Sequence, residues 1–316
     1  MQYRPLGRSG LTTAPLVFGG NVFGWTADRE MSFRLLDAFL DAGFNAIDTA
    51  DSYSRWVPGN RGGESETIIG EWLKARGRRD DVLILTKVGS DMGQGHNDLS
   101  PGWIERAVED SLRRLGTDVI ELYQAHWPDP RTPQEETLRA FDRLVRAGKV
   151  RAIGVSNHSA EATAHALAIS DREGLARYAT LQPHYNLYSR DTFEGPLQDL
   201  AVREGLGAIT YFSLEAGFLT GKYRSADEVE GSSRIGMLKD KFNARGLRIL
   251  AALRAVAERH DATPAQVSLA WLLTRPGVAA PIVSATSLEQ LTDTLKAAEL
   301  TLPAEELDEL TRASAA

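Results

Sequence analysis

Short runs rich in apolar and β-branched residues alternate with longer amphipathic runs along the whole sequence. Eight of the short runs have the length and composition of buried strands, at residues 15–19, 44–48, 82–87, 119–124, 150–155, 179–182, 207–211 and 280–283. Helix candidates lie between them, among them residues 29–42, 64–75, 101–115, 133–146 and 290–298. This order is typical of βα units built around a parallel sheet.

Eight such units favour a closed barrel over an open sheet. The 316 residues leave about 40 for each unit, which suits a (β/α)8 barrel with insertions. An open doubly wound sheet would need a glycine-rich turn of defined spacing after its first strand. The glycines of Phe18-Gly19-Gly20-Asn21-Val22-Phe23-Gly24 lack that spacing. We therefore predict an α/β fold, a (β/α)8 TIM barrel, as a single domain over residues 1–316.

Two segments fall outside the eightfold pattern. Residues 3–6 and 11–13 flank Gly7-Arg8-Ser9-Gly10, which predicts a small β-hairpin that plugs the N-terminal end of the barrel. Residues 217–243 form a long loop after strand seven, rich in Gly, Ser and charge. In a barrel this loop would overlie the face where active sites form.

Composition excludes several classes of function. Lys plus Arg number 36 against 43 Asp plus Glu, a net charge of −7, so we expect no nucleic-acid partner. The absence of cysteine excludes disulfides and sulfur-based metal sites, and we expect no bound metal. The N-terminus lacks the apolar core of a signal peptide, and we expect no membrane contact and a cytoplasmic protein.

Four ionisable residues fall at or just after successive strand ends. Asp48 ends strand two, Tyr53 follows it, Lys87 ends strand three, and His126 follows strand four. A charged residue at one strand end is commonly a structural pair. Four together point to catalysis, because the C-terminal strand ends of a barrel converge on one face.

These four side chains suit proton delivery to a carbonyl oxygen. A tyrosine hydroxyl is a poor acid at neutral pH, so we expect Lys87 to stabilise the Tyr53 phenolate and lower the phenol pKa. We expect Asp48 to orient Lys87 and to raise the pKa of its amine. A neutral His126 could donate a hydrogen bond to the carbonyl.

Seven segments along the chain carry a pattern of a known family. They are Asp48-Thr49-Ala50-Asp51-Ser52-Tyr53, Gly63 to Gly70, Leu85-Thr86-Lys87, the run ending at His126, Gly154-Val155-Ser156-Asn157, Gln182-Pro183-His184-Tyr185-Asn186, and Gly217-Phe218-Leu219-Thr220-Gly221-Lys222. In these segments the sequence resembles the aldo-keto reductase family, and the resemblance covers nearly the whole length. The resemblance implies a catalytic tetrad of Asp48, Tyr53, Lys87 and His126, with Tyr53 as the acid in reduction and the base in oxidation.

The resemblance also implies a nicotinamide cofactor across the barrel mouth. Ser156, Asn157 and Gln182 would bind its carboxamide, and Tyr211 would stack on its ring. The other cofactor contacts that we expect are Gly20, Asn21, Asp48, Phe212, Ser213, Leu214, Gly217, Leu219, Lys222, Arg234, Ser284, Thr286, Ser287, Gln290, Asp293 and Thr294.

The sequence departs from the family where the adenosine phosphate would bind. Ser287 stands where many members carry a basic residue, Ser284 replaces a small glycine, and Thr294 replaces an asparagine. Arg234 could supply the missing cation, since a guanidinium binds phosphate through two hydrogen bonds. We expect NADPH/NADP to be preferred, with NADH/NAD as the alternative.

Three tryptophans lie just beyond strand ends and predict a substrate pocket. Trp25, Trp56 and Trp127 would join Tyr53 and His126 around a ligand with apolar or sugar-ring faces.

The leading hypothesis is an oxidoreductase that interconverts an aldehyde or ketone and its alcohol. The substrate would be a small carbonyl compound or alcohol, and a homo-oligomer is compatible with the sequence. A non-catalytic regulatory subunit, which the family also contains, and a Schiff-base enzyme using Lys87 are the alternatives.

Overall fold

The computed structural model describes residues 1–230 and 235–315. Its centre is a closed barrel of eight parallel strands, each paired with its neighbours in chain order, and the last strand pairs with the first. The barrel strands are β3 (Val17–Gly19), β4 (Ala46–Asp48), β5 (Leu83–Val88), β6 (Ile120–Ala125), β7 (Val150–Ser156), β8 (Tyr178–Gln182), β9 (Gly207–Thr210) and β10 (Val278–Val283). The predicted (β/α)8 barrel is confirmed.

Helices follow the barrel strands on the outside. They are α1 (Arg29–Asp41), α2 (Glu64–Arg76), α3 (Pro101–Leu115), α4 (Gln134–Arg146), α5 (Ala160–Glu173), α6 (Pro196–Glu204), α7 (Ile235–Leu238), α8 (Ala244–Arg259), α9 (Pro264–Leu273), α10 (Leu288–Leu295) and α11 (Ala304–Ala313). No helix in the described ranges is long and apolar enough to cross a membrane.

Most predicted boundaries differ from the observed ones by one to three residues. The predicted helix 290–298 instead begins at Leu288 and ends at Leu295, because Ser287 caps it by accepting a hydrogen bond from the Gln290 amide. The first barrel strand begins at Val17 rather than at residue 15.

An N-terminal hairpin fills the bottom of the barrel. Its strands β1 (Arg4–Pro5) and β2 (Thr12–Thr13) pair antiparallel. Leu6 is fully buried in a cluster with inward-facing barrel residues that include Val17 and Leu122. Gly7 has a φ of +55°, and a Cβ there would lie 2.0 Å from the Ala179 carbonyl oxygen. The hairpin therefore packs against the strands as the predicted plug, and glycine is needed at the closest approach.

The predicted long loop follows β9. It contains a turn at Glu215–Thr220, a short turn at Asp227–Val229, α7 and a final turn at Lys239–Lys241. The Lys241 amine lies 2.6 Å from the buried Glu215 carboxylate and ties the end of the loop to its start. Asn243 then caps α8 by accepting from the Gly246 amide. This pairing holds the described part of the loop against the barrel.

We expect Leu6→Ala to destabilise the fold by about 2–5 kcal/mol, since it removes a fully buried side chain and leaves a cavity at the barrel floor. Urea unfolding followed by circular dichroism measures the change. The exposed Gln2→Ala serves as the control and should leave the unfolding midpoint unchanged. Equal stability of both variants would contradict a packed floor.

Candidate active site

A cavity of about 1140 Å³ opens at the C-terminal ends of the barrel strands. Most of the residues expected at the site line it: Asn21, Asp48, Tyr53, Trp56, His126, Trp127, Ser156, Asn157, Gln182, Tyr211, Phe212, Ser213, Leu214, Gly217, Lys222, Ser284, Thr286, Gln290, Asp293 and Thr294. The barrel thus brings residues separated by more than 200 positions to one surface.

Three of the four expected catalytic residues form one hydrogen-bonded group. The Lys87 Nζ donates to Asp48 Oδ2 at 2.7 Å and to the Tyr53 hydroxyl at 2.7 Å. It also donates to the Thr49 carbonyl oxygen at 2.8 Å. The Tyr53 hydroxyl lies 3.1 Å from Asp48 Oδ2, and Gln182 Nε2 donates to Asp48 Oδ1 at 2.8 Å. β4, β5 and β8 therefore hold one carboxylate and one amine in fixed positions beneath the phenol.

The pKa directions in this group differ from our expectations. Burial raises the pKa of Tyr53 well above its usual value, and the Asp48 carboxylate raises it further. Burial lowers the pKa of Lys87, although Asp48 acts in the opposite direction. Asp48 thus raises the Lys87 pKa as expected, but burial outweighs it, and the net lowering at Lys87 and raising at Tyr53 are opposite to the expected shifts because desolvation disfavours the charged form of each residue. Tyr53 is protonated throughout the neutral range.

His126 lies beside this group without a hydrogen bond to it. Its ring centroid is 6.0 Å from that of Tyr53, and its backbone amide donates to the Val88 carbonyl oxygen. The Ser90 hydroxyl lies 2.9 Å from His126 Nδ1. Burial lowers the pKa of His126 well below its usual value, and the charge of Lys87 contributes. The imidazole is therefore neutral, and Ser90 fixes its orientation.

A cluster of polar side chains lies next to His126 at the cavity wall. Asn157 Oδ1 accepts from the Tyr211 hydroxyl at 2.7 Å, and its Nδ2 donates to the His126 carbonyl oxygen and to Ser156 Oγ. The Ser156 hydroxyl in turn donates to the Gln182 carbonyl oxygen. The protein itself thus orients these polar side chains at the cavity wall.

Tyr211 is supported from behind by a residue that sequence reasoning did not assign to the site. Its ring stacks on the His184 imidazole, with centroids 5.3 Å apart and an interplanar angle of 24°. His184 Nε2 lies 3.0 Å from the buried carboxylate of Glu215. The Tyr211 ring is therefore held at the cavity wall by His184. Glu215, which holds His184, also binds Lys241.

Some residues expected at the site lie outside the cavity lining. Lys87 is buried directly below it, and Gly20 and Leu219 are buried in the structure. Ser287 is the N-cap of α10, and Trp25 packs edge-on against Trp56 at 5.6 Å. Arg234 lies outside the described residues.

A family model named "Aldo/keto reductase family" matches residues 15–315. This match covers nearly the whole chain. The chain belongs to the aldo/keto reductase family. The resemblance inferred from the motifs is confirmed.

Individual relatives match over almost the full length. An "Uncharacterized oxidoreductase YrpG" of Bacillus subtilis is 37% identical over 312 residues, covering 96% of this chain and 93% of the relative. A "Probable voltage-gated potassium channel subunit beta" of Oryza sativa is 34% identical and covers 95% and 92%. "Aldo-keto reductase YhdN" of Bacillus subtilis is 33% identical and covers 88% and 82%.

The structure also contains a buried cluster of ionisable residues that sequence reasoning missed. Glu66 is fully buried, and its carboxylate accepts from the Thr86 hydroxyl and lies 2.6 Å from Arg114. Asp51 is 3% exposed, and its Oδ1 has no hydrogen-bond partner among the described residues. Burial raises the Asp51 pKa to about 8, and the Glu66 charge contributes. Asp51 is therefore neutral at pH 7.

We expect Asp51 to make stability fall as the pH rises. The unfolded chain ionises this carboxyl near its ordinary pKa of 3.8, whereas the folded chain keeps the proton up to about 8. Between these values the unfolded state binds fewer protons, so the free energy of unfolding decreases by up to about 1.4 kcal/mol per pH unit. Asp51→Asn should remove this slope in urea unfolding measured from about pH 5 to about pH 8.

Asp81→Asn is a matched control. Hydrogen bonds from Arg76 lower the Asp81 pKa to about 2, so both states are ionised in that range. The destabilisation by Asp81→Asn should be constant across the same pH window and should shrink only at more acidic pH, where Asp81 of the native protein becomes protonated. Parallel pH profiles for the native protein and Asp51→Asn would rule out a proton held by Asp51.

Proposed function

We propose that this protein is an NAD(P)H-dependent oxidoreductase that interconverts an aldehyde or ketone and the corresponding alcohol, with Tyr53 as general acid and base. The observation that carries the proposal is the contact of the Tyr53 hydroxyl with Lys87 Nζ at 2.7 Å, at the floor of an open cavity. Family membership supports an oxidoreductase. The hydroxyl is protonated, which is the form that proton donation requires.

Tyr53 transfers the proton in this scheme. It donates to the carbonyl oxygen during reduction and accepts from the alcohol during oxidation. Lys87 lies against the same oxygen and stabilises the phenolate that forms. Ser90 engages His126 Nδ1, so His126 Nε2 is the atom through which we propose that the imidazole orients the substrate oxygen.

The donor set of the cavity fits a nicotinamide dinucleotide. Tyr211 offers a flat ring, and the side chains of Ser156, Asn157 and Gln182 offer hydrogen-bonding groups for a carboxamide. Further along the wall lie Lys222, Thr286 just before α10, and Gln290 in the first turn of α10. When bound, a nicotinamide supplies or accepts the hydride at the carbonyl carbon.

The two alternatives weighed from the sequence receive less support. A Schiff-base role needs an accessible amine, whereas Lys87 is fully buried and donates to three protein oxygens. A regulatory role is raised by the relatives named as potassium channel subunits. The open cavity above the Tyr53 hydroxyl favours the enzyme, and a screen of aldehydes for NADPH consumption distinguishes the enzyme from the regulatory subunit.

We propose NADPH as the preferred cofactor, with NADH/NAD as the alternative, a cytoplasmic location, and a homo-oligomer as compatible with the chain. Titration of the protein with each cofactor tests the preference.

We expect Tyr53→Phe to lower kcat by about 100-fold or more, since the proton donor is lost while the ring is kept. Consumption of NADPH with an aryl aldehyde measures turnover, and quenching of tryptophan fluorescence measures cofactor binding. Binding should be nearly unchanged. Tyr3→Phe, at an exposed tyrosine, is the control and should keep full activity. Full activity of Tyr53→Phe would contradict the role of Tyr53 as proton donor.

We expect Lys222→Gln to weaken NADPH binding by about 10-fold, since a charge-assisted hydrogen bond to phosphate is lost. Fluorescence titration measures the Kd at low and at high salt. Lys239→Gln, exposed on the same loop, should leave the Kd unchanged. Equal Kd values for both variants would exclude Lys222 from the cofactor site.

A further inference from the structure

Arg55 is a charged residue of the cavity that the proposed mechanism does not use. It follows Tyr53 by two positions, lines the same cavity and is exposed. Its Nη1 donates to the Asp91 carbonyl oxygen at 2.5 Å. Among residues 1–230 and 235–315, no carboxylate oxygen lies within 4 Å of its guanidinium. The charge of Arg55 is therefore not neutralised by an ion pair.

The Asp91 carboxylate, which also belongs to a residue of the cavity wall, is bound elsewhere. Asp91 Oδ1 accepts from the backbone amides of Gly93 and Gly95, which lower its pKa, with Arg55 and His96 contributing through their charges. The Arg55 side chain is held at one point by a neutral carbonyl oxygen. Arg55 lines the cavity, and no acidic side chain of the described residues forms an ion pair with it.

The cavity separates its two strongly basic side chains. Among the described residues that line the cavity, Arg55 is the only arginine and Lys222 is the only lysine. Lys222 belongs to the loop after β9 and is one of the proposed phosphate contacts. Arg55 belongs to the loop after β4, together with Tyr53 and Trp56. Arg55 is therefore placed at the substrate end of the cavity.

Exposed aromatic rings surround this end. Trp56 is 51% exposed and Trp127 is 40% exposed, and both line the cavity. Trp56 contacts the Tyr53 ring edge-on at 6.1 Å, and Trp127 stacks on His126 at 5.8 Å. Large exposed indoles clustered at a cavity mark a surface for an apolar or aromatic ligand.

We propose that the substrates of this protein carry a carboxylate in addition to the reacting carbonyl, on an aromatic body, and that Arg55 binds this carboxylate. The inference rests on the proposed carbonyl chemistry at Tyr53 and names its substrate class. A guanidinium matches the planar geometry of a carboxylate and binds it through two parallel hydrogen bonds. The indoles hold the ring, so one end of the substrate lies at Tyr53 and the other at Arg55.

A pair of substrates isolates the charge. 4-Carboxybenzaldehyde and its neutral methyl ester, methyl 4-formylbenzoate, present the same ring and the same aldehyde. In Arg55→Gln, we expect KM for the carboxylate to rise about 10-fold with kcat little changed, and KM for the ester to change less than about 2-fold. Arg55→Lys should retain part of the preference for the carboxylate over the ester, since lysine keeps the positive charge but cannot form the two parallel hydrogen bonds of a guanidinium.

Arg61→Gln is the matched control. Arg61 belongs to the same loop, is exposed and lies outside the cavity lining, so its loss changes the net charge equally. It should leave both KM values unchanged. Equal losses on both substrates in Arg55→Gln, or no loss on either, would overturn the proposal, because Arg55 would then only shape the loop.

A binding measurement keeps this inference separate from the proposed function. Quenching of tryptophan fluorescence gives the Kd of 4-carboxybenzaldehyde without turnover. If the native protein binds the carboxylate more tightly than Arg55→Gln does but consumes no NADPH, the Arg55 site stands and the proposed reaction fails. If turnover occurs with equal Kd values in the two proteins, the reaction stands and the Arg55 site fails.

Discussion

The buried contact between Lys87 and Asp48 is the constraint on which the site depends. The two side chains are 0% and 1% exposed, and they lie 2.7 Å apart. An amine and a carboxylate removed from water cost several kcal/mol each unless both find partners. Here Thr49 and Tyr53 complete the bonds of the amine, and Gln182 completes those of the carboxylate. The pair is stable only when three different strands have closed into the barrel, so the fold and the chemistry form together.

Much of the architecture could be predicted from the sequence because it follows from local patterns. Alternating strand and helix runs specify the barrel, and parallel strands bring their C-terminal ends to one face. Asp48, Lys87 and Gln182 could therefore be grouped in space although they lie far apart in the chain. The hairpin was equally predictable, since Gly7-Arg8-Ser9-Gly10 is a turn between two short extended runs.

The remainder depends on distances across the fold that no local pattern encodes. Ser90 reaches His126 from the neighbouring loop, and Glu215 supports Tyr211 through His184. The net pKa shifts of Tyr53 and Lys87 are opposite to the expected shifts, because neighbouring charges can be read from the sequence whereas desolvation depends on burial in the fold. Asp51 was missed for the same reason, since its proton is held by burial next to Glu66 rather than by a recognisable motif.

The N-terminal hairpin at the barrel floor has a consequence for the order in which ligands bind and leave the cavity. Leu6 and Gly7 pack against the strands at the lower end, so in the described part of the chain the cavity opens at the C-terminal ends of the strands. A ligand at the bottom of the cavity and a second ligand above it would share this opening, and the deeper one would leave last. The small N-terminal hairpin would thereby set the order in which ligands leave the cavity.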